Sequence, residues 1–181
     1  MGKTLLTSAG YVKSHTGLND NTYDKMLLPA IERGQDIELR ETLGGCMVES
    51  LQAKVADGTI SDATNALYKT LLDNYIQPFL SYVVMANIVL EVGVVMGNGG
   101  VDTITDEHRN SLSIEDRGQI KDYWTKHADS YKRLMQEFCK KNKSSFPELE
   151  GCGWCNEGAN LNSSASTGIW LGGVRGKRVR G

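Results

Sequence analysis

The sequence predicts a mainly α-helical protein: a helical bundle with a projecting β-hairpin and an extended C-terminal arm. Three observations carry this. Apolar residues recur at three- and four-residue spacings through most of the first 150 positions. That period gives way to β-branched residues only around Asn98-Gly99. Beyond residue 150 the chain turns Gly-rich and basic. The 181 residues suffice for one domain with a core plus an extension. Residues 1–150 are therefore read as the helical domain, with a hairpin near 92–105, and residues 151–181 as the arm.

Each element has a local reason. Ser8 precedes a short apolar-spaced stretch through Tyr11, Val12 and His15, one or two helical turns. Asn19-Asp20-Asn21 is a turn rich in N-cap residues. Tyr23, Leu27, Ala30, Ile31, Gly34 and Ile37 then lie on one helical face, with Pro29 expected to kink the helix or to mark its start. Gly44-Gly45 marks a break or a close packing point. Met47, Val48, Leu51 and Val55 resume the stripe until Asp57-Gly58 ends it.

Ser61-Asp62 is placed to cap the next helix, whose stripe is Leu67, Leu71, Leu72, Tyr75 and Ile76. Pro78 should bend it. Phe79, Tyr82, Val83, Ala86 and Leu90 carry it onward as the core helix. Residues 79–96 are nearly long enough to tempt a membrane-span reading, but Asn87 and Glu91 interrupt them, and a buried helix fits better. Val92-Gly93-Val94-Val95-Met96, the type I′ signal Asn98-Gly99 and the alternating Val101, Thr103 and Thr105 read as the hairpin. A polar loop over 106–112 follows. Ser113 and Asp116 resemble a capping box for a last helix, Ile114–Lys141. Its expected buried side is Ile120, Tyr123, Trp124, His127, Tyr131, Leu134, Met135 and Phe138. Lys140, Lys141 and Lys143 suit its C-terminal dipole.

Charge separates the two regions. The chain carries −2 overall. Residues 151–181 hold Arg175, Lys177, Arg178 and Arg180 against Glu157, which is +3 and leaves −5 for residues 1–150. An acidic body argues against a general nucleic-acid binder. Residues 1–20 lack a long apolar run, so no secretory signal is expected. Four cysteines in a body of this size do not make a disulfide scaffold, and a reducing compartment is the default expectation.

No constellation points to catalysis. Cys152-Gly153-Trp154-Cys155 is the loudest local motif, but a redox dithiol usually follows a strand and opens a helix, and here more loop follows. As metal candidates Cys152 and Cys155 are weak: adding Cys139 and His127 gives four ligands without a recognised zinc spacing. The bland alternative packs the motif at the foot of the last helix with Trp154 as its anchor. Gly2-Lys3-Thr4 lacks the strand and upstream glycine of a phosphate loop. His15, His108 and His127 show no ligand spacing, and His127 reads as a core histidine. Asp106-Glu107 and Glu115-Asp116 are explained by a helix start. The expectation is a non-enzyme without cofactors.

The arm has a positive case. Its eight glycines permit extended backbone. Trp154, Ile169, Trp170 and Leu171 are apolar anchors, with Trp170 and Leu171 each supplying ~1.5–3 kcal/mol if buried in a groove. Arg175, Lys177, Arg178 and Arg180 would meet an acidic rim. We therefore expect these eight residues to bind a partner. Met96, Asn98, Gly99 and Gly100 would be contact residues of the hairpin.

The order of elements resembles the head–tail connector (head-completion adaptor) proteins of tailed bacteriophages, including ring proteins of crAss-like phages. The resemblance spans roughly residues 5–149. It is carried by Leu27-Leu28-Pro29-Ala30-Ile31 through Gln35-Asp36-Ile37 and Leu43-Gly44, then Tyr75-Ile76-Gln77-Pro78-Phe79-Leu80-Ser81-Tyr82. Asn98-Gly99-Gly100, residues 123–128, Tyr131, residues 134–142 and Phe146-Pro147 complete it. The resemblance implies a structural ring subunit, commonly of a dodecamer, below the portal in the virion neck. It implies contacts with sister subunits, the portal protein and the next neck or tail component. It also implies a channel through which packaged DNA passes without sequence-specific contact, and assembly in the host cytoplasm. A helical wall, an axial hairpin and a partner-binding C-terminal arm are the implied parts. The Cys152–Cys155 region lies outside the pattern. The alternative reading is a zinc- or redox-dependent helical regulatory or DNA-binding protein that uses the C-x-x-C and the basic tail.

Overall fold

In the computed structural model the described residues are 3–22, 24–91, 94–97, 100–103 and 113–151. They are mainly helical. Ser8 opens the first helix, α1 (Ala9–Thr16), by accepting the Tyr11 amide on its hydroxyl at 3.1 Å. Gly17 closes it at φ 68°, a left-handed conformation suited to glycine. Lys13 ties α1 to the next segment. It donates to the Asp20 carbonyl at 2.9 Å and pairs with Asp24 at 2.8 Å.

α2 (Asp24–Gly34) begins ahead of Pro29, which sits exposed in its second turn. The helix does not stop at Gly34. It runs through a π-helical turn, Gln35–Leu39, into α3 (Arg40–Leu43). A π-turn holds one more residue than an α-turn, so it rotates every later position on the helix surface. Gln35 and Leu39 become buried while Ile37, expected on the core face, is 56% exposed. Gly34 has a packing role. A Cβ there would lie 3.1 Å from Val83 Cγ1.

Gly44 makes the predicted break. Its φ of 84° and ψ of 153° suit glycine and little else. α4 (Gly45–Ala56) follows, burying Met47, Val48 and Leu51. Arg40 and Glu49 bridge the joint at 2.9 Å. Gly58, at φ 73°, turns the chain out of α4.

The next helix starts later than Ser61-Asp62 implies. Two short 3₁₀ turns, Thr59–Ser61 and Ala63–Asn65, intervene, and Asp62 makes no side-chain cap. Asn65 instead donates to the Thr59 carbonyl at 2.9 Å, stitching the turns together. α5 (Ala66–Leu71) then continues through a second π-turn, Leu72–Ile76, into α6 (Gln77–Glu91). The later start places Tyr68 in the core and leaves Leu67 36% exposed. Pro78, at the second position of α6, is buried just after the π-turn, whose widened turn accommodates a residue that lacks an amide hydrogen.

α6 is the central helix. It buries Phe79, Leu80, Val83, Val84, Met85, Ala86 and Ile88, although Leu90 at its end is 40% exposed. It packs against α1, α2 and the last long helix, α7 (Ile114–Lys141). Arg33 and Glu91 join α2 to the end of α6 at 2.6 Å. No helix among the described residues is long and apolar enough to cross a membrane.

β1 (Val94–Gly97) and β2 (Gly100–Thr103) pair antiparallel in a register that sets Val94 opposite Thr103 and Gly97 opposite Gly100. The Asn98-Gly99 turn lies outside the described residues, as do Tyr23, Thr105 and the expected polar loop 106–112.

Ser113 caps α7 as expected. Its hydroxyl accepts the Asp116 amide at 3.0 Å and donates to the Asp116 carboxylate at 2.7 Å. The buried face of α7 matches the expected one in part. Met135 is fully buried, Trp124, Tyr131 and Phe138 pack partly buried against the core, and Ala128 and Cys139 are buried as well, while Tyr123 and Leu134 are 55% and 48% exposed. Beyond α7, a 3₁₀ turn at Lys143–Ser145 folds the chain back, and α8 (Glu148–Gly151) packs on α4. Phe146 and Leu149 are fully buried and anchor this return.

Candidate functional site

Among the described residues α7 carries three of the eight large apolar side chains that stand exposed, Ile114, Tyr123 and Leu134. Its inner face must cover α6, so Ala128, Met135 and Cys139 point there. Trp124, Tyr131 and Phe138 pack partly buried beside that face. Tyr82 of α6 is the hub. Its ring stacks on Trp124 at 5.8 Å and His127 at 5.2 Å, packs against Tyr131 at 5.5 Å, and meets the edge of His15 at 5.4 Å. Tyr11 stacks on His15 at 5.4 Å, which brings α1 into the same cluster. Burial, and then the neighbouring Tyr131 and Tyr123, raises the Tyr82 hydroxyl pKa above its ordinary value.

Tyr123 sits at the outer edge of this cluster, edge-on to Trp124 at 5.0 Å and His127 at 4.6 Å. Those contacts fix the ring while leaving it more than half exposed. Asp116, Gln119, Ile120, Tyr123 and Trp124 border an open hollow of about 430 Å³. Ile114, at the start of α7, is 87% exposed. Rigid, half-exposed aromatics beside aliphatic side chains supply contact area at low entropic cost, as protein–protein interfaces do.

A second surface lies elsewhere. Leu5, Leu6, Leu28, Val55, Ile60 and Leu72 line a groove of about 530 Å³ between the N-terminal segment, α2 and α4. Met26 and Leu28 are each about two-fifths exposed on α2. The N-terminal segment that forms one wall is held by side-chain amides that carry no signal in the apolar pattern. The Gln35 side chain accepts the Leu6 amide at 2.8 Å and donates to the Thr4 carbonyl at 3.1 Å. Gln52 also donates to the Thr4 carbonyl at 3.1 Å, and Gln77 to the Leu6 carbonyl at 3.3 Å. Three helices thus grip residues 4–6. Lys3, set in a sequence that lacks the rest of a phosphate loop, pairs with Asp36.

The C-terminal return has its own polar lock. The Glu148 carboxylate accepts from Ser50 at 2.6 Å and from Tyr68 at 2.8 Å. Burial alone would raise its pKa. The bonds from Ser50, its own backbone and Tyr68, with the charge of Lys54, outweigh that and hold it below the ordinary carboxylate range. Burial, and then the bond to Glu148, push the Tyr68 hydroxyl well up, so it remains the donor. A carboxyl with a depressed native pKa contributes stability above its unfolded value, near 4.3, and that contribution is lost as pH falls through the native pKa. Glu148→Gln should therefore flatten the acid limb of a thermal-stability profile below about pH 5. An unchanged limb would show that the lock contributes nothing.

The eight arm residues, Trp154, Ile169, Trp170, Leu171, Arg175, Lys177, Arg178 and Arg180, lie outside the described residues, as do Cys152, Cys155, Asn98 and Gly99. Met96 and Gly100 fall within the β1–β2 pairing. His127 lies partly buried between Tyr82 and Tyr123. Among the described residues no group of three or more His, Cys, Asp or Glu side chains is placed to hold a metal ion. One finding runs against the expectation of reduced thiols: Cys46 is disulfide-bonded.

The chain matches no curated protein sequence. It likewise matches no solved structure. Residues 39–159 match a family of unknown function (DUF6712), a span that covers α3 through α8 and with them the aromatic residues of α7, and the chain belongs to that family.

Proposed function

We propose that this protein is a structural, non-enzymatic subunit of a phage neck ring, joining the portal to the tail and continuing the DNA channel. The observation that carries the reading is the exposed apolar surface of α7, where Tyr123 stands out from a fixed aromatic cluster, Leu134 lies on the same side of the helix and Ile114 is exposed at its start. A closed ring needs a heterologous contact, one surface of each subunit meeting a different surface of the next. The α7 face and the groove beside Leu28 and Ile60 are two such surfaces, on separate elements. The resemblance in element order to head–tail connector proteins supports the same reading. So does the net −5 of residues 1–150, which suits a wall that does not hold phosphate.

In this reading α1–α7 form the ring wall, and the β1–β2 hairpin projects toward the lumen or the next ring. The arm, through Trp154, Ile169, Trp170, Leu171 and its four basic residues, docks on the portal or a sister subunit. The protein would then reside in the virion neck after assembly in the host cytoplasm.

Native mass spectrometry of the full chain, alone and with a portal protein, tests this. A ring-sized oligomer is the expected result. Ile114→Asp with Tyr123→Asp should weaken self-association at least ~10-fold, since central aromatic anchors dominate interfaces. The melting temperature of the monomer should barely move, because both side chains are exposed. A chain that stays monomeric with and without the portal overturns the proposal.

A further inference from the structure

We propose that the cavity between α6, α7 and the joint of α2 with α3 binds a small primary alkylammonium, its cationic head on Glu38 and its aliphatic stem on the apolar floor. The site stands whether or not the chain assembles into a ring.

The cavity holds about 150 Å³ where three helical faces converge. Phe79, Val83, Ala86 and Asn87 follow one stripe of α6 and make its floor. Ala128 of α7 extends the apolar part. A water takes up about 30 Å³ in the liquid, so there is room for a chain of about five heavy atoms. Glu38 and Glu41 form one wall, and Lys121, Asp129 and Lys132 of α7 form another. Among the described residues no ion pair joins the two walls. Three carboxylates against two lysines leave a net −1, which complements a monocation. Lys121 and Lys132 start about 16 Å apart along the axis of α7, so they do not make a compact anion pocket.

Glu38 is placed by the π-turn at Gln35–Leu39. The change of register that leaves Ile37 outward leaves Glu38 partly buried beside α6. Asn87, the polar residue that interrupts apolar α6, donates to Glu38 Oε1 across a long 3.4 Å. Glu38 Oε2 is buried and, among the described residues, has no hydrogen-bond partner. An oxygen withdrawn from water in this way costs free energy until a donor reaches it. The terminal torsion of glutamate is broad, so a small rotation presents either oxygen to the cavity. An ammonium brings three donors and the opposite charge. An alcohol on the same stem brings one donor and no charge, and a carboxylate on it would meet Glu38 with like charge.

Titration of the isotope-labelled full chain with n-butylammonium chloride, followed by amide NMR shifts, is the test. The expected result is saturable shifts at Glu38, Asn87 and Ala128 with millimolar affinity, the range open to about five heavy atoms. Glu38→Gln keeps the size of the side chain and should weaken binding at least ~10-fold, the loss of one charge-assisted hydrogen bond. n-Butanol should bind the wild-type chain at least ~10-fold more weakly than n-butylammonium, and sodium butyrate no better than n-butanol. The proposal is overturned if no saturable shifts arise at these residues, if n-butanol or butyrate binds as tightly as n-butylammonium, or if Glu38→Gln keeps wild-type affinity. The three probes on the wild-type chain decide the question even if the variant fails to fold.

Discussion

Replacing Phe146 with alanine should destabilise the protein by about 3–5 kcal/mol. Phe146 is fully buried although it lies in the short return after α7. Its ring meets Tyr68 edge-on at 4.9 Å and Phe138 at 6.2 Å. Tyr75 adds a further layer against Phe138 at 4.9 Å. The side chain therefore closes a core built from the α5–α6 helix and the end of α7. Its removal costs transfer energy, and the rings around it cannot collapse into the space. A domain of this size is stable by only about 5–15 kcal/mol, so the loss is a large fraction of the total. The same change should release α8, since the Leu149 amide bonds to the Phe146 carbonyl at 3.1 Å and α8 docks beside it. Urea unfolding followed by tryptophan fluorescence and by circular dichroism would measure both effects. A loss below about 1 kcal/mol would mean that the return is not part of the cooperative unit.

How much of this fold is legible in the sequence depends on where the helical period holds. Ser8, Gly44, Gly58 and Ser113 act through local chemistry, and each caps or breaks a helix where its residue type predicts. α4 also follows its stripe, with Met47, Val48 and Leu51 all buried. The errors at Ile37 and Leu67 have a shared origin in departures from a 3.6-residue period. At Ile37 a π-turn inserts a residue and rotates the surface, and at Leu67 two 3₁₀ turns delay the helix. Neither feature leaves an apolar signature, and the 3₁₀ turns are stitched by a polar bond between Asn65 and Thr59. The two outward residues of α7 have a different cause. Apolar character implies burial only on average, and Tyr123 and Leu134 are apolar and outward. That failure identifies the candidate surface, since large apolar residues kept in solvent mark interaction sites.

The amide grip on the N-terminal segment is not legible at all, and it gives the second large prediction. Glutamine beside Gly34 and beside Pro78 looks like ordinary helix surface. Gln35 is nevertheless fully buried, and the Leu6 amide it receives is buried with it. Gln35→Met keeps the length and volume but neither hydrogen bond. The Thr4 carbonyl retains Gln52, whereas the Leu6 amide loses its acceptor. A buried amide left without a partner costs about 1–3 kcal/mol. Gln35→Ala adds a cavity and should cost about 2–4 kcal/mol in all. The decisive measurement is coupling. Leu6 is buried in the main core, and both Gln35→Met and Leu6→Ala should release the same stretch of chain. Their combined destabilisation should fall short of the sum of the two by at least ~0.5 kcal/mol, as neighbouring sites do. Strict additivity would mean that Gln35 acts through α2 alone, and that the groove wall beside Leu28 is held by Leu6 packing without the amides.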